Sequence, residues 1–199
     1  MKPTHYLALV LGVALGLAAC QPRTPTVKEV TQERFEPTYQ LANDTLIDDY
    51  LEVLRRYNEI KQALADGNPT RSQAATDSLL LAAGRFVTDS PKDTTRLSQA
   101  LRKAANDLRP PALAILQSGT LSDQRQHFYG LSQKLLAFVK DFGTAGLYLR
   151  QYTNPAALNN RPAFWFETDS LPDDPYGTPA GAQASLTAIY RSQYATPTP

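Results

Sequence analysis

Apolar residues recur at intervals of three and four from Leu46 and Ile47 through Tyr50, Val53, Leu54 and Tyr57 to Ile60 and Leu64, and the run stops at Gly67-Asn68-Pro69. That period predicts a helix over 44–66 with one face turned to a core. Thr70 is placed to cap a second helix, in which Ala74, Ala75, Leu79, Ala82, Ala83, Phe86 and Val87 supply one face before Ser90-Pro91 interrupts it. The small alanines let helices approach closely. A third helix starts at Asp93 or Thr94 and buries Leu97, Leu101, Ala104, Ala105 and Leu108. Pro110-Pro111 removes two backbone donors, so a break or kink is expected there, with a short helix from Pro111 to Gln117 ending at Gly119. Thr120 and Asp123 resemble a capping box that opens a fourth helix through Phe128, Leu131, Leu135, Phe138, Val139 and Phe142, which Gly143 stops.

Beyond Gly146 the helical period fades. Tyr148, Tyr152, Phe164, Trp165, Phe166 and Tyr176 alternate with Asn154-Pro155, Arg161-Pro162 and Pro175-Tyr176-Gly177. This segment is expected to be irregular, with room for a short hairpin. Its aromatics carry too much apolar area to stay in water, so they are expected to cover one end of the helices. A last amphipathic stretch, 182–193, suits a helix. The expected fold class is all-α: an up-and-down bundle of about four helices with an aromatic, Pro-rich C-terminal cover.

The N-terminus carries an address. Lys2 precedes an uncharged apolar run, Tyr6 to Ala19, that closes in Leu17-Ala18-Ala19-Cys20. At about 14 residues the run is short of the roughly 20 needed to span a bilayer, and it resembles a bacterial lipoprotein signal. Small residues admit the peptidase, and the Cys20 thiol would then carry diacylglycerol while its freed amine takes another acyl chain such as palmitate. Residues 1–19 are read as the signal peptide, 20–41 as a Pro- and Thr-bearing tether, 42–193 as the helical domain and 194–199 as a tail. Gln21, rather than Asp, after the lipidated residue favours the outer membrane, facing the periplasm. The membrane, through this lipid, is the one partner the sequence names.

Twenty basic and nineteen acidic side chains leave a net charge of +1 over 199 residues, so no strong field exists to hold nucleic acid. Removing Lys2 with the leader takes the charge to zero. One Cys, one Met and two His preclude an internal disulfide, and loss of Met1 and His5 leaves Cys20, read as acylated, and His127. Thiol redox chemistry and a Cys/Met/His metal cluster are therefore not expected, nor is a cofactor. No nucleophile elbow, phosphate loop or triad spacing is visible.

Arg125-x-x-Phe128-x-x-Leu131-Ser132, with Leu147-Tyr148, Asn154-Pro155-Ala156, Trp165 and Asp174-Pro175-Tyr176-Gly177, resembles the domain of unknown function 3347 family over roughly residues 44–177. The resemblance implies an envelope domain, often a lipoprotein, with some relatives attached to copper-efflux adaptors. The family pattern carries Cys-Pro-Met where this chain reads Asn154-Pro155-Ala156, and Trp-Leu-Ser where it reads Trp165-Phe166-Glu167; the closing Met and Cys of the family are missing. The chain is thus similar to a family scaffold that has lost its soft ligands.

Arg125, Tyr148, Tyr152, Asn154, Trp165 and Tyr176 are the candidate ligand or partner surface. Arg125 also suits a structural contact to carbonyls of the C-terminal segment, and His127 an ordinary helix position. Asp48, Asp49 and Glu52 fit a response to the helix dipole, and Gly143-Thr144-Ala145-Gly146 fits a helix C-cap better than a nucleotide clamp. The expected function is a non-catalytic, lipid-anchored envelope module that binds an unidentified envelope protein or small ligand. The alternative is a copper-efflux-related metal-handling protein with a degenerate ligand set.

Overall fold

The computed structural model describes residues 30–41, 44–89, 95–168, 172–177 and 183–192. Cys20, the leader, the 194–199 tail and the Ser90-Pro91 interruption lie outside the described residues. Four helices follow one another: α1 (Asp44–Ala65), α2 (Pro69–Thr88), α3 (Arg96–Gln117) and α4 (Leu121–Phe142). They are joined by a four-stranded sheet built from β1 (Thr31–Phe35), β2 (Leu149–Leu158), β3 (Arg161–Glu167) and β4 (Ser185–Ser192), in the order β1-β4-β2-β3. The fold is therefore α+β, which corrects the all-α expectation.

The helices follow from their sequence. Asn68 caps α2 by accepting the Arg71 amide, with Pro69 in the first turn; Thr95 caps α3 and Thr120 caps α4 by accepting the Asp123 amide. The caps of α2 and α3 thus sit at Asn68 and Thr95, not at Thr70 or before Thr95. No break occurs at Pro110-Pro111: α3 runs through both prolines. Leu101, Ala105, Leu108, Ala112 and Ile115 form one unbroken buried stripe across them, so packing holds the helix where propensity alone would end it. The carbonyls of Asn106 and Asp107, which lose their amide donors, belong to exposed and half-buried positions within reach of water.

The sheet is where the expectations fail. Residues 31–35, read as tether, pair in parallel with β4, and the chain after them is also fixed: Tyr39 stacks on Phe142, its amide donates to the Asp141 carbonyl, and Leu41 is buried. Residues 182–193, read as a helix, contain β4, whose Ala188, Tyr190 and Ser192 point inward with period two. The segment after Gly146 is a hairpin, β2 and β3 antiparallel with a register shift between Asn154 and Leu158, turned by Asn159-Asn160 with φ of 50° and 62°. Two left-handed residues in a two-residue loop match strand twist, which explains the choice of Asn.

This cover does not cap one end of the bundle. It lies along the seam between α1 and α4, with β3 as the strand that touches both helices. At the far end, Gly143 ends α4 with φ 87°, and a Cβ there would lie 2.9 Å from Ser192 Oγ, the atom that accepts the Thr144 amide. The Tyr50 hydroxyl of α1 donates to the Gly143 carbonyl, so helix end, sheet and α1 meet on one glycine.

Candidate functional site

Arg125, Phe128 and Ser132 stand on one face of α4 by their spacing of three and four, and each reaches a different partner. Ser132 Oγ lies 2.7 Å from the Tyr57 hydroxyl of α1, and that hydroxyl accepts the Phe166 amide of β3. Phe128 stacks on Tyr57 at 5.0 Å and meets Tyr176 at 6.1 Å. The Tyr176 hydroxyl donates to the Phe164 carbonyl, so two tyrosines occupy the edge of β3 that no strand pairs. Burial pushes both phenols above their ordinary range, Tyr176 well above it, which keeps them neutral hydrogen-bonding groups.

Beside them lies a buried charge pair that the sequence reading missed. Lys61 of α1 bonds the Glu167 carboxylate, whose Oε1 also accepts Trp165 Nε1 at 3.0 Å and the Asp173 amide at 3.2 Å. A Lys between Ile60 and Leu64 in the apolar stripe of α1 was the available signal. Trp165 is fully buried, stacked on Tyr152 at 5.9 Å and edge-on to Tyr176 at the same distance.

The turn Asp174-Pro175-Tyr176-Gly177 is fastened to β2 by Asn154, whose Nδ2 donates to Asp174 Oδ2 at 2.6 Å, while Asp174 Oδ1 accepts the Tyr176 amide. Arg125 donates from Nη2 to the Leu64 carbonyl at the end of α1, and its guanidinium presses on Gly177; a Cβ there would lie 2.3 Å from Nη1. Gly177 also has φ 64°, so this place in the turn admits glycine for two reasons. Burial lowers the Arg125 pKa, with Asp174 opposing the shift.

Five of the six candidate residues, Arg125, Tyr152, Asn154, Trp165 and Tyr176, thus share one neighbourhood. Tyr148 does not: it is 46% exposed beyond the C-terminus of α4, against Arg191 at 4.8 Å, and about 26 Å of helix separates Arg125 from Phe142. The aromatics of the group are core rather than pocket wall, except Tyr176. Asp49, Asp48 and Glu52 form no shared ligand site: Glu52 binds Arg55 and Arg56, which hold its carboxyl down at about 2.

Open space lies between α4 and the β2–β3 hairpin in two adjoining compartments that share Gln126 and Leu158. One, about 410 Å³, is lined by Ser122, Arg125, Asn159, Asn160 and Gly177. The other, about 520 Å³, is lined by Pro111, Tyr129, Gln133, Arg161 and Pro162, with His127 at its margin. Among the described residues no helix is long and apolar enough to cross a membrane, and no group of three or more His, Cys, Asp or Glu gathers as metal ligands.

Residues 53–146 match the family model described as a protein of unknown function, DUF3347. This stretch is a DUF3347 domain. The match spans the helices from Val53 through α4 and stops before β2, so the sheet and the Asn154, Trp165 and Tyr176 elements lie outside it. Arg125, Phe128 and Ser132 lie inside it. No curated protein and no solved structure shows significant similarity to the chain.

Proposed function

We propose that this protein is a non-catalytic binding module of the bacterial envelope, held to the membrane through lipid on Cys20, and that its ligand sits in the groove between α4 and the β2–β3 hairpin. One observation carries the binding half: the groove combines amide and hydroxyl side chains with Tyr129, Pro111 and Pro162, the mixture of polar and apolar wall that small-molecule sites use. The apolar run ending in Leu17-Ala18-Ala19-Cys20 supports the anchor.

Two measurements test the proposal. Alkyne-labelled palmitate fed to cells is expected to enter the wild-type protein and not Cys20→Ala; an unlabelled, soluble wild type removes the anchor from the reading. For binding, a fragment screen followed by amide chemical shifts on the full chain is expected to move Gln126, Asn159 and Asn160 together. Shifts that gather elsewhere, or hydrolysis of a fragment, count against a binding groove here.

A further inference from the structure

The groove is electrically lopsided in a chain that is otherwise balanced. Its two compartments contain the guanidinium groups of Arg125 and Arg161, and among the described residues no carboxylate lines either one. Arg161 is exposed, with only a long contact from Nε to the Leu158 carbonyl at 3.4 Å. Arg125 is half-buried: Nη2 holds the Leu64 carbonyl, Nε is buried without a hydrogen-bond partner among the described residues, and the neighbouring Asp174 has its oxygens engaged by Asn154 and the Tyr176 amide. A guanidinium has five N–H donors and keeps its charge, so a half-buried one that lines a groove without carboxylates favours an anion within reach of its terminal nitrogens.

We infer that the groove takes a small organic monoanion, a carboxylate on a flat apolar body, with the carboxylate at Arg125 between Asn159 and Asn160 and the body against Pro111, Tyr129 and Pro162. The inference rests on the binding reading above and adds the ligand class to it. At most a single charge is favoured because Asp174 already stands beside the one half-buried guanidinium and would repel a dianion; Arg161, out in solvent, is screened and contributes to encounter more than to holding. The apolar body follows from the second compartment, where Pro111, Tyr129 and Pro162 offer faces without charge.

Calorimetric titration of the full-length chain in detergent with phenylacetate, its neutral isostere phenylacetamide, and phenylphosphate is the test. Phenylacetate is expected to bind at least about tenfold more tightly than the amide, the worth of roughly one charge-assisted hydrogen-bonded contact, and more tightly than the dianionic phosphate ester. Arg125→Gln is expected to erase the preference for the acid. Ser122→Trp, an exposed position of α4 at the groove mouth, is expected to block all three probes without touching the charge. If Arg125→Gln does not fold by circular dichroism, Arg125→Met, which also removes the charge and is expected to erase the same preference, and Ser122→Trp carry the comparison. Equal binding of acid and amide, both lost in Ser122→Trp, overturns the anion inference and leaves the groove as a binding site. Binding of any probe that Ser122→Trp leaves intact, or no binding at all, overturns the inference, and the former also removes the groove from the functional reading.

Discussion

Lys61 of α1 and Glu167 of β3, 106 positions apart in sequence, form an ion pair with Nζ 2.6 Å and 2.5 Å from the two carboxylate oxygens, and both side chains are 2% exposed. Two charges taken from water cost several kcal/mol each, repaid only while both are present and hydrogen-bonded. Lys61→Met is therefore expected to destabilise the fold by about 3–5 kcal/mol. Lys61→Met with Glu167→Gln is expected to recover much of that loss, because the amide oxygen still accepts Trp165 Nε1 and no charge is stranded. Urea midpoints measure both; a double variant no more stable than the single one contradicts the account.

The Tyr57 hydroxyl joins three elements, taking the Phe166 amide of β3 and pairing with Ser132 of α4. Tyr57→Phe keeps the ring stacked on Phe128 and leaves that buried amide without an acceptor, at a cost of about 1–3 kcal/mol. Hydrogen exchange is the sharper readout: the Phe166 amide should lose protection more than its neighbours in β3. Uniform loss along the strand would mean that the hydroxyl is not what holds this edge.

Trp165 is the chain's only indole and is fully buried. Its emission is expected to be blue-shifted in the folded protein and to move red on unfolding. Trp165→Ala is expected to cost about 3–5 kcal/mol, whereas His127→Ala, at an exposed position of α4, is expected to stay within about 0.5 kcal/mol of wild type. A red, solvent-like emission from the native state contradicts the packing.

The hairpin turn places Asn159 and Asn160 both at positive φ. Asn at the second place pays a backbone cost that glycine does not, so Asn160→Gly is expected to raise stability by some tenths of a kcal/mol, up to about 1. Asn160→Val is expected to lower it. Thermal midpoints decide, and a stabilising valine would be incompatible with this turn.

Asp49 carries a carboxyl whose pKa is raised above its usual 3.8 by burial and then by the nearby Asp89 carboxylate, with Arg85 pulling the other way. The folded state thus binds this proton more tightly than the unfolded state does. The cost of ionising Asp49 is absent below about pH 3.8, the unfolded value, and grows as pH rises through the raised folded value. Asp49→Asn is accordingly expected to raise the thermal midpoint at pH 7, with the gain vanishing near pH 3.5, as a pair of melts at the two values would register.

The sequence by itself determined most of the helical part of this protein. The three-four spacing of Leu46 to Leu64 and of Phe128 to Phe142, with caps at Thr120 and Gly143, is local information, since an α-helix bonds each residue to one four places away. Arg125, Asn154, Trp165 and Tyr176 were singled out through the family resemblance, and the structure places them in one neighbourhood. The continuity of α3 was not legible in this way: Pro110-Pro111 argued for a break, and it is the burial of Leu101, Leu108 and Ile115 against the other helices that carries α3 across them. Only the tertiary structure decided the sheet. β1 has a single large apolar residue, Phe35, and acquires its conformation from β4 at the opposite end of the chain; β4, eight residues with alternating burial, becomes a strand because β1 and β2 pair with it on both sides. Backbone pairing between distant segments leaves little trace in either segment alone. For the same reason the pairing of Lys61 with Glu167 could not be read from either segment: it exists because the seam between α1 and α4 closes on β3 and brings the two charges together away from water.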